Sequence, residues 1–484
     1  MVINTLVLFY VYRKANQVLG LELIGLWSVV TTLTSFGNIG TFGISGSLVK
    51  FTAEHQSIGD ADQIVKLLNS FFAIMFLLVC GFLVLLYVGA LLFLEQIVGI
   101  KYIEQAFHLL PFAFLVFLLT TLGSLVLSVI EGLNKAWQKN LVVISANIGM
   151  LLCSIFWIEK FGIEGVFYAQ LVQAGLLFIL GWVLVKINFK DYHWNLYTKD
   201  RLMLRKVLAY GFKFQSVSVL QMLGEPVTKF FLSRYGGLSW VGVFEMASRV
   251  VVQVRAILAT VVSNLLPKIV QIYSTDPMIK TRNVYSQVFN VNFYLFAFVF
   301  GGLAIFSEVI VHFWLGGSNN NLVTLIQLLS LAWFINSLSI VPYVFNLGSG
   351  QMKGNVVSHA IVAATNIIGG LLLITLDFVP QAFIALWILS LILGSVYTIT
   401  EFGKRSDTPA SLIISSGQVF LLILISIPAA WIGLSGFLWM NSSPYILMTA
   451  ILMYIIIMLV CIKNTSAFIV VREYLATFIN RLKA

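Results

Sequence analysis

Between residues 220 and 260, apart from Arg234 beside a glycine-rich turn, two acid–base pairs and one further arginine interrupt the apolar sequence: Glu225 with Lys229, Glu245 with Arg249, and Arg255. A charge at the bilayer centre costs about 2.5–3.5 kcal/mol on insertion scales, which makes an intramembrane charge a site candidate by default. The i to i+4 spacing puts each pair on one helix face, where an internal ion pair lowers that cost. Arg255 has no acid three or four residues to either side. It either snorkels to the inner interface or binds an anion, and a guanidinium holds phosphate oxygens bidentately. Pro226, directly after Glu225, removes a backbone donor and is expected to bend its helix, as a gating helix requires. Arg13, near the end of the first apolar run, suits an interface anchor or the top of a cation series with Arg249, Lys229 and Arg255. His312 with Glu308, and His359, read as polar-interface residues.

These residues need helices to hold them at depth. The chain is 60% hydrophobic and only 10% charged, which leaves too little polar surface for a soluble domain. Apolar runs near the roughly 20 residues of a bilayer-spanning helix recur along its length. They give spans at 2–18, 24–49, 67–94, 107–130, 141–158, 164–185, 209–233, 239–266, 285–313, 322–349, 356–376, 379–400, 411–434 and 443–462, fourteen in all. With the N-terminus inside, the outer loops keep only Arg13, Lys14, Lys101, Lys160 and Arg234, and the spans Lys229, Arg249 and Arg255. The other 21 of the 29 lysines and arginines then fall on the cytoplasmic side, as the positive-inside rule asks. The formal charge of +10 is therefore an orientation signal rather than a nucleic-acid footprint. Cys80, Cys153 and Cys461 each sit in an apolar run and read as small core residues.

A repeat organises the spans. "GLELIGLW" at 20–27 returns as "GLSWVGVF" at 237–244, a shift of 217 residues, at the turns between spans 1 and 2 and between spans 7 and 8. The same shift takes Phe161 to Phe378 and Asn38 to Arg255, and Asn147 falls two residues from Asn366. Two parallel six-helix halves follow, an arrangement that secondary transporters use to hold a site between lobes. Asn38 and Arg255 would then present an amide and a guanidinium toward one axis. Because the shift places Ala209 before Met1, span 1 lacks about two turns, and a truncated or misassigned start is expected. Thr31, Thr34 and Ser35, with the glycines of span 2, line a sugar path or serve close helix packing.

The stretches "VLGLELIGLWSVV", "FGNIGTFGISGSLVKF", "FGIEGV" and "YGGLSWVGVFEMASRV" carry a resemblance over nearly the whole chain. It resembles the polysaccharide and O-antigen flippases of the multidrug/oligosaccharidyl-lipid/polysaccharide exporter superfamily. The resemblance implies an all-α polytopic membrane protein of about 14 transmembrane helices. Its parts are an N-terminal lobe (1–190), a cytoplasmic interfacial linker (191–208), a C-terminal lobe (209–405), and an extra helix pair with an amphipathic tail (406–484). It also implies alternating access around a central cavity. The substrate would be an anionic lipid-linked oligosaccharide of the undecaprenyl-pyrophosphate type, moved across a bacterial inner membrane for polysaccharide, O-antigen or lipopolysaccharide synthesis, with both termini cytoplasmic. Polymerase or ligase machinery is a candidate partner. Asn38 stands where the family often carries an acid, so ion coupling by protons or sodium is left open at that position. No cofactor, metal-ligand cluster or nucleophile motif is found, and a phosphate loop for an ATP-driven pump is missing. The cationic sum of the charges within spans favours an anionic headgroup over the rival drug or cation antiporter. Short outer loops disfavour a membrane polymerase or transferase.

Overall fold

The computed structural model describes residues 2–41, 44–190, 219–263, 265–266, 269–271, 279–376 and 378–406. Among them all regular structure is helical: α1 (Val2–Ser35), α2 (Ile44–Ser57), α3 (Ala61–Val98), α4 (Ile103–Gly132), α5 (Ala136–Phe161), α6 (Ile163–Asn188), α7 (Glu225–Gly236), α8 (Leu238–Ser263), α9 (Ile279–Ile305), α10 (Ser307–Leu315), α11 (Asn320–Leu338), α12 (Ile340–Ser349), α13 (Lys353–Thr375) and α14 (Gln381–Arg405). Ten stretches among the described residues are long and apolar enough to cross a bilayer. α3 leaves Leu77, Leu85 and Leu92 66–69% exposed, a face that only lipid or another apolar surface would cover. The protein is an all-α polytopic membrane protein. The last two spans, the linker, the tail and the first part of span 7 lie outside the described residues.

The structure departs from the sequence reading in where spans break. Spans 1 and 2 both run through α1, which is interrupted at Gly20 (φ 75°, ψ 176°). Span 2 is not one helix to residue 49: a 3₁₀ stretch, Phe36–Thr41, ends it before α2. Gly37 and Gly40 fall within that stretch, and each glycine weakens a helix by about 1 kcal/mol relative to alanine. Span 9 likewise divides at Phe306 and span 10 at Ser339.

The chain forms two compact units, Met1–Glu245 with Gly370–Ile384, and Met246–Gly369 with the chain from Ala385 onward. The first is built on a core in which Phe71, Met75 and Val79 of α3 meet Leu125, Val126 and Val129 of α4 and Val185 of α6. Phe72 packs edge-on against Trp182 at 5.3 Å. At its margin a Cβ on Gly37 would fall 2.4 Å from the Phe117 ring. Gly37→Ala is expected to cost about 1–3 kcal/mol by overpacking. Adding Phe117→Leu should restore much of the lost melting temperature in detergent; no recovery would place the strain in the backbone instead.

In the second unit Tyr285 of α9, Phe345 of α12 and Phe402 of α14 form a three-ring cluster with centroids 4.5–5.7 Å apart. Ser358 of α13 donates to the Gly394 carbonyl of α14 at 2.7 Å, and Gly394 leaves room for that approach.

Candidate functional site

Glu245 of α8 is 1% exposed and Lys229 of α7 is 5% exposed, so each charge must find its partner inside the protein. Lys229 Nζ lies 2.6 Å from Glu245 Oε2 and 3.0 Å from Glu225 Oε1. Tyr12 of α1 donates to Glu245 Oε1 at 2.6 Å, and Ser28 donates to Glu245 Oε2 at 2.7 Å. The Tyr12 ring is held against Trp27, centroids 4.8 Å apart. One ammonium thus serves two carboxylates, and the more buried carboxylate also receives two hydroxyls. The pairing of Lys229 with Glu225 follows the i to i+4 spacing, whereas its shorter contact crosses from α7 to α8.

The helix carrying Lys229 is placed by its ends. α7 begins after a break at Leu223 and Gly224, so Pro226 stands in its first turn, where a missing N–H leaves no hydrogen bond unmade. Pro226 therefore does not bend a continuous helix, contrary to the sequence reading. At the other end Ser233 donates to the Ile97 carbonyl of α3 at 2.6 Å, and Arg234 donates to Gln96 Oε1 at 3.1 Å.

The cluster is the place where the repeat meets itself. Adding 217 takes Tyr12 to Lys229 and Ser28 to Glu245, so the four closest members are two repeat-related pairs. Adding 217 also takes Leu21 to Leu238 and Gly25 to Gly242. A Cβ on Gly25 would lie 1.9 Å from the Leu238 carbonyl oxygen, and one on Gly242 would lie 2.1 Å from that of Leu21. The contact is reciprocal, as expected about a local two-fold axis. Gly20 and Gly237 start the two copies with the same backbone, φ 75° and 81°, ψ 176° and 165°. That region is open essentially to glycine alone.

A second cluster lies within the other unit. Arg255, on α8, is half-buried, and its Nε donates to Asn336 Oδ1 of α11 at 2.9 Å. Asn336 Nδ2 donates to Ser395 Oγ of α14 at 3.0 Å, and Ser395 donates to the Leu391 carbonyl at 2.6 Å. The guanidinium lies over Trp333, its Cζ 4.9 Å from the ring centroid. Nearby in the same unit Tyr343 of α12 and His359 of α13 lie edge to face, centroids 6.2 Å apart. Among the described residues no carboxylate lies within ion-pair distance of Arg255. Its two terminal nitrogens have no hydrogen-bond acceptor there. Trp333 Nε1 and Ser337 Oγ, on the same helix as Asn336, are buried donors without a partner among the described residues. A fixed cation with spare N–H groups is chemistry for an oxyanion.

The other predicted residues fall elsewhere. Arg249 is partly buried on α8, four residues after Glu245. Arg13 is exposed on α1 and is not brought to the Lys229 cluster, while its neighbour Lys14 pairs with Glu159 of α5. Asn38 is exposed in the 3₁₀ stretch, where its carbonyl accepts from Thr41. Asn38 and Arg255 belong to different units. The hydroxyls of Thr31, Thr34 and Ser35 turn back onto carbonyls of their own helix. Glu308 is partly buried and His312 exposed on α10.

The family model described as "Polysaccharide biosynthesis protein" matches residues 2–273, more than half of the chain and all of both copies of the turn. The chain belongs to the polysaccharide biosynthesis protein family. No curated protein sequence matches it. Among solved structures this family member is similar to a lipid II flippase, MurJ, in an inward closed conformation, at TM-score 0.69 and 15% identity over 96% of this chain and 97% of that one. It is also similar to an inward-facing multidrug resistance MATE transporter, at TM-score 0.68 and 16% identity over 84% and 96%. A multidrug/oligosaccharidyl-lipid/polysaccharide superfamily transporter from Pyrococcus furiosus, described as having a binding pocket of reversed polarity, matches at TM-score 0.52 and 12% identity over 84% and 96%. These likenesses give the family member the fold of that superfamily.

Sequence reasoning missed Tyr12 and Ser28, although the shift applied to Lys229 and Glu245 lands on them. It also missed Asn336, Trp333 and Ser395. They stand 78 to 140 residues after Arg255 in apolar runs, and nothing local marks them.

Proposed function

We propose that this polysaccharide biosynthesis protein is a flippase. It moves an anionic lipid-linked oligosaccharide, of the undecaprenyl-pyrophosphate type, from the inner to the outer leaflet of a bacterial inner membrane by alternating access. The observation that carries this reading is the Arg255 guanidinium, held by a neutral amide and an aromatic face with no carboxylate partner among the described residues. The family match and the likeness to flippase and transporter folds support it. In this reading the lobes are 1–190 and 209–405, and the expected linker 191–208 and the chain beyond 406 lie outside the described residues. Both termini are cytoplasmic. The product feeds polysaccharide or O-antigen assembly, and proton or sodium gradients are the candidate driving forces. A cation antiporter needs a carboxylate free for its substrate, whereas Glu245 and Glu225 both lie on Lys229.

The test is Arg255→Ala and Arg255→Lys in a strain lacking its own flippase, with membrane levels confirmed. Surface polysaccharide and the lipid-linked intermediate accumulating inside are then measured. Removing a charge-assisted contact is expected to lower export about 10- to 100-fold with alanine, and less with lysine. Full surface polysaccharide from both variants would remove Arg255 from the site.

A further inference from the structure

We propose that Asn336, held in one orientation by Ser395, is the positioning residue that gives the Arg255 site its preference for a tetrahedral oxyanion. The proposal rests on the reading of Arg255 as a headgroup ligand. The hydrogen bonds run in one direction. Ser395 has a single hydroxyl proton and gives it to the Leu391 carbonyl at 2.6 Å, so toward Asn336 it can only accept. The Asn336 amide must then turn Nδ2 to Ser395, at 3.0 Å, and Oδ1 to Arg255 Nε, at 2.9 Å. Reversed, the amide would set a donor against a donor. The orientation is thereby fixed by a backbone carbonyl two side chains away.

Charge selects the residue as well as orientation. An amide takes one guanidinium proton and leaves the +1 charge uncompensated. A carboxylate at the same place would pair with Arg255 and compete with any incoming anion. The guanidinium lies over Trp333 and gives its Nε–H to Asn336, which leaves the two terminal nitrogens as its remaining donors, a pair that two phosphate oxygens can accept. The ligand class is a phosphate or pyrophosphate group, whether on a lipid or free.

The experiment uses the full-length protein in nanodiscs. Binding of undecaprenyl pyrophosphate is measured against undecaprenol, with inorganic pyrophosphate as competitor. Wild type is expected to prefer the lipid pyrophosphate. Asn336→Asp should lose about tenfold or more in that preference while its melting temperature holds or rises, because the new ion pair firms the fold and neutralises the site. Ser395→Ala should lose about tenfold, and Ser395→Thr, which keeps the hydroxyl, should restore binding to within about twofold of wild type. A purely structural role predicts that affinity follows melting temperature, which Asn336→Asp separates. If Arg255→Ala loses the preference but Asn336→Asp and Ser395→Ala keep it, the positioning role is overturned and the site reading stands. If Arg255→Ala also keeps it, the site reading itself fails. Competition by inorganic pyrophosphate as tight as the lipid would assign the site to the free anion; weak competition would assign it to the lipid headgroup.

Discussion

Lys229→Ala is expected to destabilise the protein by about 3–5 kcal/mol, the cost of removing one partner of a buried ion pair. Glu245 is 1% exposed, and Lys229 is the ammonium 2.6 Å from its Oε2. Without that ammonium, Glu245 keeps the Tyr12 and Ser28 hydroxyls but loses the positive charge 2.6 Å from Oε2. Glu245→Gln should cost less, since its single amide oxygen still accepts one of the two hydroxyls, its NH2 can donate to the other, and Lys229 keeps Glu225 at 3.0 Å. Lys229→Met with Glu245→Leu should recover most of the single-mutant loss, because replacing both charges removes the desolvation problem rather than exposing it. Denaturant or thermal unfolding of the purified variants in detergent, arranged as a double-mutant cycle, reads the coupling. Additive losses would mean that the pair is not closed inside the protein.

The second large effect is steric. Gly25→Val and Gly242→Val are each expected to prevent accumulation of folded protein in the membrane. Their Cβ atoms would sit 1.9 and 2.1 Å from backbone carbonyl oxygens, which cannot swing aside as a side chain can. The alanine variants should still fold, at a cost at or above the upper end of the usual 1–3 kcal/mol of overpacking, or about 3 kcal/mol. Because both glycines close one seam, Gly25→Ala with Gly242→Ala should cost less than the sum of the two: once the seam opens for one methyl, the second meets a gap. Membrane yield and melting temperature check both statements. Wild-type yield and stability from either valine variant would show that the two turn copies do not touch.

The reciprocal contact also gives the duplicated stretch its physical meaning. Gly20 and Gly237 supply a backbone that other residues rarely adopt, and Gly25 and Gly242 supply the space for the copies to meet. Tyr12, Ser28, Lys229 and Glu245 then occupy equivalent places in the two copies yet differ in chemistry. A symmetric backbone thus closes on an asymmetric polar cluster, with the base on one copy of the first position and the acid on one copy of the second.

By itself the sequence determined the helical, membrane-spanning class, the positions of most spans, the repeat and the short roll of charges worth attention. Each of these rests on local quantities: the length of an apolar run, the cost of a buried charge, the recurrence of a glycine pattern. The tertiary structure decided where the runs break, as at Phe36–Thr41, Phe306 and Ser339. It also decided that Pro226 opens a helix instead of bending one, and that Glu245 takes Lys229 from α7. It alone gave Arg255 its neighbours, Asn336 and Trp333 from α11, with Ser395 behind them. Partner choice depends on which helix faces meet, and hydropathy is nearly degenerate among apolar helices that all satisfy the bilayer equally well. Only packing, in which a missing Cβ admits a carbonyl or a fixed hydroxyl turns an amide, lifts that degeneracy.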